Sequence, residues 1–367
     1  MNRAHLSKRA QHVTVALAAA TLAAACGSSS GNSTSASGGS SSSASSSSGT
    51  GSSNGGSPAK LKIMVGGISK QIYLPNELTA KLGYFKEQNL DVTLIDEASG
   101  QSSEQQVLTG NVQAGSGSYN HTIELLASGK SMESVVQLQL APGEALMVNS
   151  KKAGQVHSAT DLSGANLGVT ELGSGTQTLT TAILGKVGIA ADKVHFVPVG
   201  AGATFLAAMQ QNRVTAGMTT EPTISRVIST GAGKPLVDLR TPESTKAALG
   251  GDYPFISVFM NTDYVNSHRD VTQRLVNAYV KTLKWMSTHT AAQIADMVPP
   301  DYYAGDKAAY VTALQGQKNS FTTDGVMPAS GAQTVADIEY KYVPSMKGKN
   351  VDLSKTYTNE FASKATG

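Results

Sequence analysis

Residues 142–149 read Pro-Gly-Glu-Ala-Leu-Met-Val-Asn, and residues 250–260 read Gly-Gly-Asp-Tyr-Pro-Phe-Ile-Ser-Val-Phe-Met. Each stretch is a short apolar run after a turn rich in Gly and Pro, which is typical of a buried strand. The block between them is long enough to form βα repeats of its own. We therefore predict a hinge of two strands, where the chain leaves one lobe near residue 145 and returns near residue 255.

On both sides of this hinge, short apolar runs alternate with amphipathic helical stretches. This alternation predicts an α/β architecture with mostly parallel sheets. One sheet containing every strand is the alternative, and it would require a single large core. The predicted strands are Leu61–Val65, Asp91–Ile95, Val112–Gly115, Glu133–Leu138, Ala145–Asn149, Asn166–Val169, Val194–Val199, Val214–Met218, Pro235–Leu239 and Phe255–Met260.

Apolar residues that recur at intervals of three and four predict the helices. One helix runs past Leu78 to Phe85 and pauses at Gly83. A second covers residues 179–187, and a longer one covers 271–283. Three residues are candidate caps for the longer helix, namely Asn266, Ser267 and Asp270.

The N-terminal residues 1–25 have the features of an export signal. A basic start is followed by an apolar stretch from Val13 to Ala25, which is too short to span a bilayer. The stretch ends just before Cys26, the one cysteine of the chain. A small residue before a lone Cys resembles a bacterial lipobox, so we predict that Cys26 is lipidated and becomes the new N-terminus. An ordinary signal peptide, with Cys26 incidental, is the alternative.

Residues 26–59 are almost entirely Ser, Gly, Asn, Thr and Ala. Such a segment buries too little apolar surface to offset the entropy of ordering, so we predict a disordered linker. Together with the lipid it would tether a folded body of residues 60–367 to a membrane. Three of the 29 Lys and Arg lie in the signal, which leaves 26 against 26 Asp and Glu. This neutral balance argues against a nucleic-acid partner, and a monomer is expected.

The loops that follow the carboxyl ends of strands predict the ligand site, because ligands of open α/β sheets bind there. Four loops can face one cleft: 66–73, 115–121, 173–176 and 219–221. The candidate side chains and backbone positions, with Arg240 at the end of a further strand, are Ser69, Gln71, Tyr73, Ser118, Tyr119, Asn120, Ser174, Gly175, Thr176, Thr220, Glu221 and Arg240.

The loop Gly-Ser-Gly-Thr at residues 173–176 precedes a predicted helix. Ser174 or Thr176 can cap this helix, and its free N–H groups favour an oxyanion such as sulfonate, nitrate or carboxylate. Tyr73 either covers a ligand or packs in the core. Arg240 either pairs with an anion or forms a salt bridge. Glu221 either points away from the ligand or accepts hydrogen bonds from an amine-bearing or pyrimidine-like solute.

Four stretches resemble a known family, the type II periplasmic binding proteins of ABC importers that bind aliphatic sulfonates, nitrate and thiamine-precursor pyrimidines. They are Leu82–Val92, close to the family's GYFKEEGLDV, then Asp161–Thr170 with the Gly-Ser-Gly-Thr loop, Thr219–Pro222 and Val351–Phe361. The resemblance implies the type II fold, with a cleft between lobe one (residues 60–144 and 256–367) and lobe two (145–255).

The resemblance also implies a function and partners. It implies an exported, lipid-anchored solute-binding protein, periplasmic or on the cell surface, that closes around a small organic anion and delivers it to the permease and ATPase subunits of an importer. Aliphatic sulfonate is favoured. Pyrimidine, nitrate and aromatic carboxylate remain alternatives, as does a solute-sensing module.

An enzyme is not expected. The histidines are far apart without metal-ligand spacing, and the only cysteine is Cys26. No Gly-x-Ser-x-Gly elbow stands in a plausible context. The adjacent Tyr302 and Tyr303 leave ferric-ion capture as a minor alternative. We therefore expect neither a cofactor nor a metal.

Overall fold

The ten predicted strands are all present, and they form two five-stranded sheets in the computed structural model of the chain. The structure describes residues 56–366, so the predicted signal peptide, Cys26 and nearly all of the linker lie outside the described residues. The strands are β1 Ala59–Val65, β2 Leu90–Asp96, β3 Ala114–Ser118, β4 Met132–Gln137, β5 Glu144–Asn149, β6 Asn166–Val169, β7 His195–Pro198, β8 Ala216–Thr220, β9 Gly233–Leu239 and β10 Ile256–Asn261.

Helices cover both sheets and connect their strands. They are α1 Leu74–Lys81, α2 Tyr84–Glu87, α3 Gly100–Leu108, α4 Asn120–Ala127, α5 Gly175–Lys186, α6 Ala203–Gln210, α7 Thr223–Ser229, α8 Pro242–Leu249, α9 Thr262–Ser267, α10 Arg269–Thr288, α11 Ala291–Ala295, α12 Lys307–Gln317 and α13 Ala329–Tyr342. The pause predicted at Gly83 is confirmed, because Gly83 has a φ of 78° between α1 and α2.

The strand orders show how the chain passes between the sheets. The first sheet has the order β2-β1-β3-β10-β4, and the second has the order β7-β6-β8-β5-β9. The pairs of β1 with β2 and β3, and of β6 with β7 and β8, are parallel, whereas β10 and β5 are antiparallel to their neighbours. The chain thus crosses between the sheets twice, before β5 and before β10. We call the parts built on the first and second sheets lobe one and lobe two.

Two strands, β3 and β8, begin two residues later than predicted and end three and two residues later. The prediction treated Gly115–Ser118 as a loop, but these residues form most of β3. The reason is packing: a Cβ on Gly115 or Gly117 would lie 2.3 or 3.0 Å from the Phe259 ring of β10, so small residues are needed within the strand. Thr219 and Thr220 were likewise expected after β8 and instead end it, beside β5.

The cap predicted for the long helix α10 was wrong. Asn266 and Ser267 belong to the preceding helix α9, and Asp270 lies in the first turn of α10. The N-cap is His268, whose side chain makes no capping hydrogen bond. A short helix directly followed by a long one can have the same apolar spacing as a single helix, so the sequence alone does not separate α9 from α10.

The C-terminal segment covers an edge of the first sheet. The Ser134 N–H of β4 donates to the carbonyl of Thr356 at 2.9 Å, and the Thr358 N–H donates back to the Ser134 carbonyl at 2.9 Å. This pairing protects backbone groups that an edge strand otherwise exposes. The similarity of Val351–Phe361 to a family signature therefore coincides with a structural role.

Within residues 56–366, every helix is too short or too polar to cross a membrane.

Candidate functional site

The two lobes meet around a small cavity lined by groups from both sheets. Lobe one contributes Lys70 and Tyr73 after β1 and Ser118 at the end of β3, while β5 contributes Glu144. The cavity measures about 20 Å³, which is room for about one water-sized group. We call it the interlobe cavity, and its lining residues are Gly66, Lys70, Ile72, Tyr73, Ser99, Gly100, Ser118, Glu144, Thr170, Ser174, Gly175, Thr176 and Phe255.

The N-terminus of helix α5 forms one wall of the interlobe cavity. Its N-cap is Ser174, but no side chain caps the helix, contrary to our prediction. The Ser174 hydroxyl donates instead to the carbonyl of Glu171 at 2.6 Å, and the Thr176 hydroxyl accepts from the Thr170 N–H at 2.9 Å. The first N–H groups of the helix, at Gly175 and Thr176, have no acceptor within it. They can therefore donate to an oxyanion, which the positive helix end also favours.

Ser118 of lobe one contacts this wall directly. Its side chain is 3% exposed, and its hydroxyl has no hydrogen-bond partner. A Cβ on Gly175 would lie 2.6 Å from the Ser118 Oγ and 2.7 Å from the Phe255 ring. The two lobes thus approach each other here as closely as a glycine permits, with an unpartnered hydroxyl between them.

Lys70 holds its ammonium group against backbone carbonyls. The Nζ donates to the carbonyl of Gly66 at 2.7 Å and to that of Ala98 at 3.0 Å, and it lies 5.9 Å from the centroid of the Tyr73 ring. Burial lowers the pKa of Lys70 to about 8, and three nearby carboxyl groups, of which Glu144 has the largest effect, oppose this shift. The cavity wall therefore contains a partly desolvated cation whose donors are mostly engaged.

Glu144 places a carboxyl group in the same wall. It is 3% exposed, and its Oε2 has no hydrogen-bond partner. Burial raises the pKa of Glu144 to about 8, and the coulombic effect of Lys70 opposes the rise. No ion pair joins Glu144 to a cation of residues 56–366. A buried carboxyl group without a donor is costly, so this group stands out from its surroundings.

Hydrogen bonds link the lobes on either side of the interlobe cavity. On one side, the hydroxyls of Ser99 and Ser102 at the start of α3 donate to the Oε2 of Glu171 in lobe two, the latter at 2.9 Å. On the other side, the Gln71 N–H donates to the carbonyl of Glu221 at 3.0 Å. The structure therefore shows the lobes in contact.

A second concave surface, of about 390 Å³, is lined by residues that include Glu221, Asp238 and Arg240. We call it the Arg240 groove; β9, α7 and α12 contribute its side chains. Arg240 donates to the Glu221 Oε1 at 3.2 Å and to the Asp238 Oδ2 at 2.7 Å, and Glu221 also accepts from the Ser225 N–H at 3.0 Å. The hydrogen bond to Asp238 raises the pKa of Arg240 further. The charged groups of this groove are bonded to each other.

The structure divides the predicted site residues into groups. Five of the twelve line the interlobe cavity: Tyr73, Ser118, Ser174, Gly175 and Thr176. Two line the Arg240 groove, namely Glu221 and Arg240. Gln71 and Thr220 line neither surface; the Gln71 amide donates to the Tyr310 carbonyl, and the Thr220 hydroxyl donates to the Gly143 carbonyl.

Three further predicted residues lie outside both surfaces. Ser69 is exposed to solvent. The Tyr119 hydroxyl is hydrogen-bonded to the Thr356 hydroxyl at 2.6 Å, within lobe one. The Asn120 amide donates to the Glu124 Oε1 at 2.7 Å. These three stay predictions as ligand contacts.

Sequence reasoning did not select three prominent lining residues. Lys70 stood inside the loop 66–73 but was passed over in favour of its neighbours. Glu144 and Phe255 flank the hinge strands, for which only a structural role was inferred. The available signal was a Glu at the start of an otherwise apolar buried strand, because acidic side chains are almost never fully buried unless they are paired.

The minor metal alternative has no geometric support in the described part of the chain. Tyr302 is buried, and the Tyr303 hydroxyl donates to the Ala295 carbonyl at 2.6 Å. Across residues 56–366, no three His, Cys, Asp or Glu side chains are grouped so that they could hold a metal ion.

Comparison with known proteins identifies the family. The family model described as NMT1/THI5 like matches residues 75–292. The chain belongs to the NMT1/THI5-like family. A solved structure of a protein from Bordetella bronchiseptica RB50 is similar to this chain. The two share a TM-score of 0.80 and 33% identity, over 84% of this chain and 96% of that one. No curated protein sequence matches significantly.

Two more distant structures share the fold of this family member. The alkanesulfonate-binding protein SsuA from Xanthomonas axonopodis pv. citri, bound to MOPS, has a TM-score of 0.62 and 17% identity over 83% of this chain and 99% of its own. The nitrate-binding protein NrtA from Synechocystis PCC 6803 has a TM-score of 0.67 and 11% identity over 83% and 87%. The predicted two-lobed periplasmic-binding-protein fold is thus confirmed. The fold is therefore one that an alkanesulfonate-binding protein and a nitrate-binding protein also have.

Proposed function

We propose that this chain captures a small organic solute in the interlobe cavity and delivers it to an importer's permease and ATPase subunits. Lobe one would comprise residues 60–144 and 256–367, and lobe two residues 145–255. Ligand binding would shift the population from open to closed lobes, with the two hinge segments absorbing the rotation. No step requires chemistry on the solute, so we propose a binder and not an enzyme.

One observation carries this proposal: unpartnered polar groups of both lobes converge on one cavity. Ser118 comes from lobe one and the free N–H groups of α5 come from lobe two. A ligand that bonds to both would hold the lobes together, which is the requirement for capture by closure. The Glu171 and Gln71 hydrogen bonds would add ligand-independent support to the closed form.

The α5 N-terminus and Ser118 also support an anionic group on the solute, with an aliphatic sulfonate as the first candidate. Nitrate, a thiamine-precursor pyrimidine and an aromatic carboxylate are the alternatives that the family resemblance leaves. The cavity of about 20 Å³ favours compact solutes, because an aromatic ring would need a much larger separation of the lobes than a tetrahedral oxyanion.

The proposal includes a lipid anchor on Cys26 and a monomeric binder outside the cytoplasm. The intact mass of the mature chain tests the anchor: an unmodified Cys26 would contradict it. A solute-sensing module remains the second candidate function, and permease and ATPase genes beside this one would favour import.

A calorimetric screen tests the binding proposal. The full chain, purified in detergent, is heated with alkanesulfonates, nitrate, pyrimidines and aromatic carboxylates in turn. A ligand at a hundred times its Kd is expected to stabilise the protein by about 2.7 kcal/mol, which raises Tm by several degrees. Ser118→Ala is expected to reduce this shift, because it removes a donor at the point where the lobes meet.

Ser257→Ala is the matched control for Ser118→Ala. Ser257 lies on β10 beside β3, is fully buried and also has an unpartnered hydroxyl, but it does not line the interlobe cavity. It is expected to leave the ligand-induced shift intact. Equal loss in both variants would contradict the placement of the site, and the absence of any shift would contradict the proposed ligand classes.

A further inference from the structure

Glu144 is the lining group that an organic anion alone does not explain. An oxyanion bound to α5 and Ser118 would occupy donors, but the Glu144 carboxyl group needs a donor itself. The cation that acts on Glu144, Lys70, already donates to two backbone carbonyls and forms no ion pair with it. Its charge favours the carboxylate form of Glu144 through space without donating to the Oε2.

Other carboxyl groups between the lobes have their donors. Glu221 accepts from Arg240 and from a backbone N–H, and Glu171 accepts from two serine hydroxyls. Glu144 is about as buried as Glu221 but has no such partner, and it lines the cavity. Leaving a buried carboxyl group unsatisfied costs about 1–3 kcal/mol, so a ligand that supplies the donor gains that amount in affinity. The helix end, the Ser118 hydroxyl and Glu144 are thus independent features pointing into one space.

We propose that the solute is a small zwitterion, in which a protonated amine binds Glu144 while a sulfonate or carboxylate group binds the α5 N-terminus and Ser118. This inference rests on the proposed function, because it assigns the ligand of the same cavity. The two charged groups bind residues that line one cavity, so they are separated by only a few bonds. The lobes would close less far around this ligand than they do here, because the cavity now has room for about one water-sized group. Charge-assisted hydrogen bonds at both ends account for the polar walls of both lobes.

The proposal predicts proton release on binding. The groups that face Glu144 are Lys70 after β1, Tyr73 at the start of α1 and Tyr253 before β10. Because the pKa of Glu144 is raised to about 8, the carboxyl group is mostly protonated at neutral pH. An ammonium group stabilises the carboxylate, so binding expels the proton. A simple anion would leave it in place.

The test compares isosteric pairs of solutes by titration calorimetry on the full chain. One pair is 2-aminoethanesulfonate and propane-1-sulfonate, and the other is 3-aminopropanoate and butanoate. In each pair a methyl group replaces the ammonium group. The amine member is expected to bind about tenfold or more tightly than its partner, and to release protons in buffers of different ionisation enthalpy.

Glu144→Gln assigns the effect to this residue. The variant keeps the shape of the side chain, and it is expected to lose most of the preference for the amine member of each pair over its methyl partner. Glu339→Gln is the matched control, because Glu339 is also a buried carboxyl group with unpartnered oxygens but does not line the cavity. It is expected to keep the full preference.

The outcomes separate this inference from the proposed function. Equal binding of both members of each pair, or a preference that survives in Glu144→Gln, overturns the zwitterion and leaves the solute-binding function intact. The same conclusion follows if the four probes fail but nitrate or a pyrimidine binds. Failure of these probes and of the whole calorimetric screen overturns both.

Discussion

The interlobe cavity and the Arg240 groove are both concave, both polar and both contain a buried glutamate, but their polar groups are bonded differently. In the groove, Glu221 is bonded to Arg240, and Arg240 is bonded to Asp238. In the cavity, Ser118 and Glu144 have no hydrogen-bond partner. The groove is much larger, about 390 Å³ against about 20 Å³, yet its charges are already satisfied.

If the interlobe cavity binds the solute, as we propose, unsatisfied polar groups mark the binding site better than the size of a depression does. A satisfied ion pair stabilises the structure around it, whereas a buried donor or acceptor without a partner gains free energy only when a ligand arrives. We therefore expect changes in the cavity to alter affinity and changes in the groove to alter stability.

The largest expected effect comes from closing the cavity with a side chain. Gly175→Val would place a Cβ 2.6 Å from the Ser118 Oγ and 2.7 Å from the Phe255 ring, so the lobes cannot approach as they do now. We expect affinity for the solute to fall by about a hundredfold or more, which is about 2.7 kcal/mol. Titration calorimetry measures the affinity, and small-angle scattering measures whether the ligand-saturated variant stays open.

Gly154→Val is the control for this change, because a Cβ there meets nothing within 4 Å. Unchanged affinity in Gly175→Val would show that the solute binds elsewhere.

A smaller effect, on stability instead of affinity, is expected from Arg240→Met. Glu221 is fully buried, and the change leaves its carboxylate without a cation. We expect the free energy of unfolding to fall by about 2 kcal/mol, below the usual loss for a broken buried pair because Arg240 is partly exposed. Urea denaturation measures this loss.

The double variant with Glu221→Gln is expected to recover part of the stability lost in Arg240→Met, because it removes the stranded charge. Solute affinity is expected to stay within about threefold in both. A loss of affinity larger than the loss of stability would instead support our sequence-based expectation that Arg240 and Glu221 contact the solute.

The smallest effect is expected at a third buried glutamate, Glu339 of α13. Burial and the neighbouring Glu124 raise the pKa of Glu339 well above its usual range. The folded state therefore holds the proton more tightly than the unfolded state, and stability falls as pH rises above the usual glutamate pKa of about 4.3. Glu339→Gln removes this dependence. We expect the variant to gain about 1 kcal/mol over the unmodified chain within about one pH unit above that value.

Thermal unfolding at a series of pH values measures this difference. If the stabilities of the two proteins change in parallel with pH, the pH dependence does not arise from Glu339. The groups around Glu339 include Glu124, Asn120 and Tyr253, and the first of these shares the raised pKa. Glu221, which has Arg240, provides the comparison of a buried carboxyl group with its cation.

Much of the fold was predictable because its signals are local. Apolar runs of strand length and apolar residues at helical spacing predicted all ten strands and the helix break at Gly83. The errors arose where tertiary packing replaces the local signal. Gly115 and Gly117 were interpreted as a loop because nothing in the sequence shows that Phe259 needs the space above them.

The candidate site was predictable only in part. The Gly-Ser-Gly-Thr loop and Ser118 were selected because strand ends and helix starts are recognisable in sequence, and the structure brings them together. Arg240 and Glu221 were selected for their charge, but whether a charge meets a ligand or another side chain depends on distances across the fold. Glu144 was missed for the same reason.

The sequence by itself determined the architecture of this protein: an α/β chain with two hinge strands and a helix that begins at a Gly-Ser-Gly-Thr loop. These follow from hydrophobic periodicity and backbone preference, which act between near neighbours. Only the tertiary structure decided which polar groups are left without partners, because Lys70, Ser118, Glu144 and Gly175 come from four separate segments. Burial and hydrogen-bond satisfaction are properties of the packed fold, and they decide what this cavity can bind.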